Sequence, residues 1–118
     1  MNELKECTEK MFEDIKHIDE EGNEYWLARE LQRVLEYKNW RNFLKVLNKA
    51  KETCINSGFN ENEQLVEINK LSKRSNNAIT NIQDYKLSRY ACYLIVQNGD
   101  SHMKTIALAW LYWNKNFF

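Results

Sequence analysis

The run DYKLSRYACYLIVQNGDSHMKTIALAWLYW, Asp84 to Trp113, decides how the rest of the chain is read. Two helices fit it. The first is expected from about Leu87 to Gln97, with Ser88 as its N-cap and Asn98-Gly99 as its stop. The second is expected from near Ser101 to about Trp113. Ala91, Cys92, Leu94, Ile95 and Val96 leave the first helix little polar surface. A helix that is apolar on most sides belongs inside a core, so the earlier segments are expected to pack around it.

Immediately before this run the pattern is ambiguous. A short helix fits near Asn62–Val66. Val66, Ile68 and Leu71, with Ala78, Ile79, Ile82 and Tyr85, also fit two strands of a hairpin. Lys73-Arg74-Ser75-Asn76-Asn77 would be its turn, because asparagine tolerates the left-handed backbone region. The hairpin is the favoured reading. Further upstream, a helix is expected from Trp40 to about Asn56, closed by Ser57-Gly58. Its apolar face is Trp40, Phe43, Leu44, Leu47, Ala50 or the stem of Lys51, and Cys54. Glu36 to Asn39 break it from a helix over Leu27–Leu35, which presents Leu27, Leu31, Val34 and Leu35 on one side. Glu24-Tyr25-Trp26 reads as a short strand leading in. Residues 2–20 carry a partial apolar stripe (Leu4, Met11, Phe12, Ile15, Ile18) and are expected to be helical, with a turn at Asp19 to Asn23.

With 118 residues and 43% apolar content, the chain has room for one real core and not two. Its formal net charge is zero, but the charges are segregated. Residues 1–25 carry nine acids and three lysines, while residues 26–118 carry eight acids and fourteen bases. That is an acidic leader on a basic body, although ordinary solvated charge explains the same numbers. Cys7, Cys54 and Cys92 have no metal-ligand spacing. Cys92 lies in the apolar helix, where cysteine acts as a small hydrophobe. No secretory signal or membrane-length apolar run is present, so a cytoplasmic protein with no membrane association is expected. The absence of proline suits a largely helical chain.

Catalysis finds little support. His17 and His102 stand alone, and no phosphate loop, serine elbow, zinc helix or paired-cysteine motif is present. The reading is a protein that is not an enzyme and needs no cofactor or metal. Nucleic-acid binding has more behind it. Arg41, Lys45 and Lys49 recur every four residues on one side of a helix, opposite its apolar face. Arg29 and Arg33 lie on the helix before, Lys38 between the two, and Lys73 and Arg74 at the hairpin tip. Cations on rigid elements can neutralise phosphates, and Gln32, Asn42 and Asn48 are near enough to reach base edges. A solvated helix pair would show the same spacing. Two short helices joined by a tight turn also suggest a helix-turn-helix. Trp26 and Trp40 fall at core positions and are read as packing residues.

The residues then become specific. Tyr25-Trp26-Leu27-Ala28-Arg29-Glu30-Leu31, Val34-Leu35-Glu36-Tyr37, Trp40-Arg41-Asn42-Phe43, Lys49-Ala50-Lys51 and Asn56-Ser57-Gly58 resemble the BRO-N domain, and within it the bacterial and phage group of DNA-damage-inducible D proteins. The strongest likeness is the seventeen-residue run from Asp84 to Asp100. It covers about Asn23 to Leu108. The resemblance implies a small α+β domain of phage antirepressors and viral and bacterial regulators, one that binds DNA and, in the damage-inducible group, belongs to the SOS response. It brings no catalytic residues. Arg29, Arg41 and Arg89 fall on matched positions; DNA contact by the first two is a physical inference from the residues, and Arg89 fits equally an anchor of its helix through Asp84 or Asp100.

The fold expected is therefore α+β: a mostly helical single domain with a small β-hairpin, of the BRO-N kind. Residues 1–22 would be an acidic N-terminal helix or leader, residues 23–113 the domain, and residues 114–118 a short tail. After Leu108 the sequence departs from the family pattern, which implies a shortened member or an isolated N-terminal domain. Trp110, Trp113, Phe117 and Phe118 would then form an apolar patch favouring self-association. The expected function is DNA-binding regulation in the DNA-damage response or in phage antirepression. The alternative is a protein-interaction module that engages a repressor or recombination protein without touching DNA.

Overall fold

Tyr25 and Trp26 start the architecture. In the computed structural model, which describes residues 12–99 and Ala109, they lie in a strand, β2 (Glu24–Leu27). It runs directly into helix α1 (Ala28–Val34). A short strand, β1 (His17–Ile18), pairs antiparallel with β2 across a turn in which the Asp19 carboxylate accepts from the backbone of Glu21 and Asn23. The expected helix over residues 2–20 therefore ends earlier: its described part is helical only at residues 12–14, and His17 and Ile18 belong to the sheet. Residues 1–11 lie outside the described part.

Helix α2 (Trp40–Asn56) has the limits its sequence announces. The Asn39 side chain caps its start, accepting from the backbone of Arg41 at 2.8 Å and Asn42 at 3.3 Å. At its end Gly58 takes a φ of +84°, and the backbone of Gly58 and Phe59 donates to Ile55 and Cys54, the paired bonds that close a helix with a left-handed residue. Helix α1 ends in the same bond pattern: Glu36 donates to Arg33 and Tyr37 to Gln32. There the left-handed residue is Glu36, at φ +64°.

Both readings of the ambiguous segment prove right in succession. A single turn, α3 (Glu61–Gln64), leads into strand β3 (Leu65–Lys73), which pairs in full with β4 (Ile79–Leu87). Asn77 supplies the left-handed residue of the turn at φ +66°. The hairpin is not small: each strand has nine residues, and it belongs to a four-stranded antiparallel sheet in the order β1-β2-β4-β3. The chain is thus α+β with a substantial sheet rather than mostly helical.

Helix α4 (Arg89–Gln97) follows at once, with Ser88 as N-cap accepting from the Ala91 backbone at 3.0 Å. Ala91, Cys92, Leu94, Ile95 and Val96 are all buried, so α4 is the centre the sequence implied. It packs against α2, β2 and β4. Trp26, Leu31, Leu35, Phe43, Leu47 and Leu87 close the core around it. Each fully buried aliphatic or aromatic side chain there contributes about 1.5–3 kcal/mol by leaving water. Trp26 is wholly buried and its indole N–H donates to the Phe12 carbonyl at 3.0 Å, while Trp40 sits at the edge of the core. The expected helix from Ser101 to Trp113 lies outside the described residues except for Ala109, which is helical and buried.

Candidate nucleic-acid interface

The cations picked from the sequence divide into three groups. Arg29 is held from three sides. Its backbone N–H donates to the Asp84 carboxylate at 3.0 Å, its Nε donates to the Gln83 carbonyl at 2.9 Å, and its guanidinium lies 3.9 Å from the centre of the Trp40 ring. A guanidinium stacked and hydrogen-bonded in this way ties α1 to β4 and α2.

The second group runs from the end of α1 along α2. Arg33, Lys38, Arg41, Lys45 and Lys49 are all exposed. Between positions 33 and 49 the sole acid is Glu36. Among the described residues none of these five cations is in an ion pair. On α2 the buried line is Phe43, Leu47, Ala50 and Cys54. At 100° per residue, Arg41, Lys45 and Lys49 project to the opposite side, successive members rising about 6 Å along the axis. Asn48 shares this side, and Glu52 interrupts it toward the C-terminal end. Lys38 and Arg41 are three residues apart, which holds their Cα atoms within about 11 Å.

The third group is the hairpin end, where Lys73 and Arg74 are exposed beside the turn. Helix α2 packs on α4, α3 and α1, and the arm extends from the sheet. The sequence reading did not anticipate how bare this arm is. From Val66 to Gln83 no residue is fully buried, and Leu71 and Ile79, two of the apolar positions that suggested the strands, are 74% and 70% exposed.

Asp84, the first of the two anchors expected for Arg89, is not its partner, and Asp100 lies outside the described residues. Arg89 makes a two-pronged ion pair with Glu24, at 2.5 and 3.0 Å, and lies over the Trp26 ring. Asp84, wholly buried, instead serves α1 and pairs with Lys70 at 3.1 Å. Helix α1 has no side-chain cap of its own at Leu27, so Asp84 supplies one from across the sheet. Beside the Glu24–Arg89 pair opens a cleft of about 520 Å³, walled by Asp19, Glu24, Tyr25, Glu63, Lys86 and Tyr90. Arg89 lines it as well, so three acids face two bases there, and Glu24 is already paired with Arg89. Burial raises the Cys92 thiol well above the usual value of 9.0; nearby Arg89 lowers it and Glu24 raises it, both less than burial does. That suits packing rather than nucleophilic chemistry. Among the described residues no group of three His, Cys, Asp or Glu could hold a metal ion, and no helix is long and apolar enough to cross a membrane.

The family model of the BRO family, N-terminal domain, matches residues 14–117. The match therefore starts before Asn23 and runs past Leu108, where the sequence likeness had been expected to fade. The chain is 46% identical over 101 residues to DNA damage-inducible protein D of Escherichia coli (strain K12). That alignment covers 86% of the chain and 37% of the relative, so the chain spans little more than a third of that protein's length. No solved structure matches it. On the strength of a match across nearly the whole sequence, the chain belongs to the BRO family, as its N-terminal domain.

Proposed function

We propose that this domain binds DNA in a regulatory role, tied to the DNA-damage response or to phage antirepression. The observation that carries the reading is the row Arg33, Lys38, Arg41, Lys45 and Lys49. Five exposed cations follow one another in sequence from the end of α1, through the link at Lys38, to α2, none in an ion pair among the described residues, in a chain whose total charge is zero. Charge left uncompensated in one place and balanced elsewhere is what a phosphate-binding surface requires. The kinship with a protein named for its induction by DNA damage supports the regulatory setting. Lys73 and Arg74 would add contacts at the hairpin end, while Arg29 would support the surface by fixing α1.

Fluorescence anisotropy with labelled duplex and single-stranded DNA over a salt series tests this. Binding should weaken steeply with salt. Arg41→Ala and Lys45→Ala should each lower the affinity and flatten the salt dependence by about one phosphate contact. Absence of binding at low salt would refute it.

A second reading has one observation in its favour. Asp19 and Glu63 on the cleft, beside Lys86 and the paired Glu24 and Arg89, would receive a basic segment of a repressor or recombination protein. Capture of such a partner that Glu63→Lys abolishes, with no DNA affinity in the same protein, would favour this module.

A further inference from the structure

The hairpin beyond its root has a composition unlike the rest of the chain. Residues 68–83 contain no aspartate or glutamate, although the protein has seventeen acids in all. They carry Lys70, Lys73 and Arg74, and are rich in amides and hydroxyls. The strand register sorts them by face. Asn69, Leu71 and Lys73 on β3 share a face with Ile79 and Asn81 on β4, because Leu71 pairs with Asn81 and Lys73 with Ile79. All five are exposed. The other face is engaged: Ile68, Ser72, Thr80 and Ile82 are half-buried, and Lys70 is paired with Asp84. One face of the arm therefore presents two aliphatic tips, two amides and a lysine to solvent.

The amides and the aliphatic tips are groups that read A·T base pairs from the major groove. The groove admits a two-stranded ribbon; asparagine matches the N6 and N7 edge of adenine, and aliphatic carbon packs on the thymine methyl. A protein-binding surface would be poor in lysine at its centre. We propose that this face of the arm enters the major groove of duplex DNA, with Leu71 and Ile79 against thymine methyls, Asn69 and Asn81 toward adenine, and Lys73 and Arg74 on the flanking phosphates. The inference rests on the DNA-binding reading above. It adds that the ligand is double-stranded, that recognition favours A·T pairs, and that the arm reads while α2 holds the backbone.

The experiment uses three duplexes of equal length at one low salt concentration: one rich in A·T, the same with uracil replacing thymine, and one rich in G·C. Uracil removes the groove methyl and keeps the pairing. The wild-type chain should prefer the A·T duplex over the G·C duplex by about tenfold, as a bidentate base contact gives. It should lose about fourfold per contacted methyl on the uracil duplex. Leu71→Ser with Ile79→Ser should bind thymine and uracil duplexes alike, and Asn81→Ala should narrow the A·T preference. Arg41→Ala with Lys45→Ala should weaken all three equally. Both aliphatic positions are exposed, so unchanged thermal unfolding should show the fold intact. If the wild type binds every duplex equally, or the arm variants discriminate as it does, the arm is not a reader although the domain still binds DNA. If no duplex binds, both readings fail. If the arm variants change only self-association, the face is a protein interface and the inference is wrong.

Discussion

The Asp84 carboxylate accepts a hydrogen bond from the backbone N–H of Arg29, fifty-five residues earlier in the chain, at 3.0 Å. This contact caps α1 from β4, and the same carboxylate accepts from the Tyr85 backbone at 2.8 Å and pairs with Lys70 at 3.1 Å. Removing it uncaps a helix and leaves the groups that face it unmatched. Asp84→Ala should cost about 1–3 kcal/mol, the loss of a helix cap and of hydrogen bonds to a charged group, since Lys70 is half exposed and can turn to water. Urea unfolding measures this. A loss under half a kilocalorie, roughly the surface-mutation range, would show that α1 holds without the cap.

Glu36 occupies the left-handed position that ends α1, where Gly58 does the same for α2. A side chain there costs about 1 kcal/mol against glycine. Glu36→Gly should therefore raise stability by about 0.5–1 kcal/mol, offset in part by the freer unfolded chain. Thermal melts of the two proteins decide it, and a lower midpoint for the variant would contradict the assignment.

Arg89 and Glu24 join the start of α4 to β2 through two hydrogen bonds. Two-pronged, partly buried pairs exceed the usual surface value. Arg89→Ala should cost about 1–3 kcal/mol, whereas Arg89→Lys should recover only part of that because lysine cannot match the fork. Comparing both variants with Glu24→Gln in a double-mutant cycle isolates the coupling, and additive losses would show that the pair contributes nothing of its own.

Cys92 is buried with its thiol pushed well above 9.0. Its ionisation is therefore easier in the unfolded chain than in the folded one. A group raised in the folded state contributes its full stability below the unfolded pKa and loses it as pH rises toward the folded value. Unfolding free energy should accordingly fall above about pH 9, by up to about 1.4 kcal/mol per pH unit for one thiol. Cys92→Ala should flatten this alkaline decline, and the native thiol should resist a thiol reagent until the chain unfolds. Equal alkaline slopes in the two proteins would remove Cys92 from the account.

Local chemistry made much of this fold readable. Asn39 and Gly58 bound α2 by capping and by the left-handed stop, and Ser88 starts α4, so both helices could be located from neighbouring residues alone. The sheet was harder. His17–Ile18 is too short for alternation to register, and β3 has only Leu65 buried, which leaves its apolar residues without a clear pattern. The partners of Asp84 and Arg89 could not be read at all, because they lie across the sheet and not along it. The candidate site was legible to the same degree. The spacing of Arg41, Lys45 and Lys49 gave the solvent row. Nothing in the sequence separates Arg29, locked on Trp40 and Gln83, from Arg33 four residues on. Leu71 and Ile79 look like packing residues until the register and their exposure place them on an arm.

The central claim is that the row from Arg33 to Lys49 binds the DNA backbone. Its most direct test is the salt dependence of duplex affinity for the wild-type chain and for a variant with Lys45→Ala and Lys49→Ala, measured by anisotropy. The account predicts that the logarithm of the association constant falls linearly with the logarithm of salt, and that the variant's slope is shallower by about 1.8 for two lost phosphate contacts. Equal slopes and equal affinities for the two proteins would contradict it.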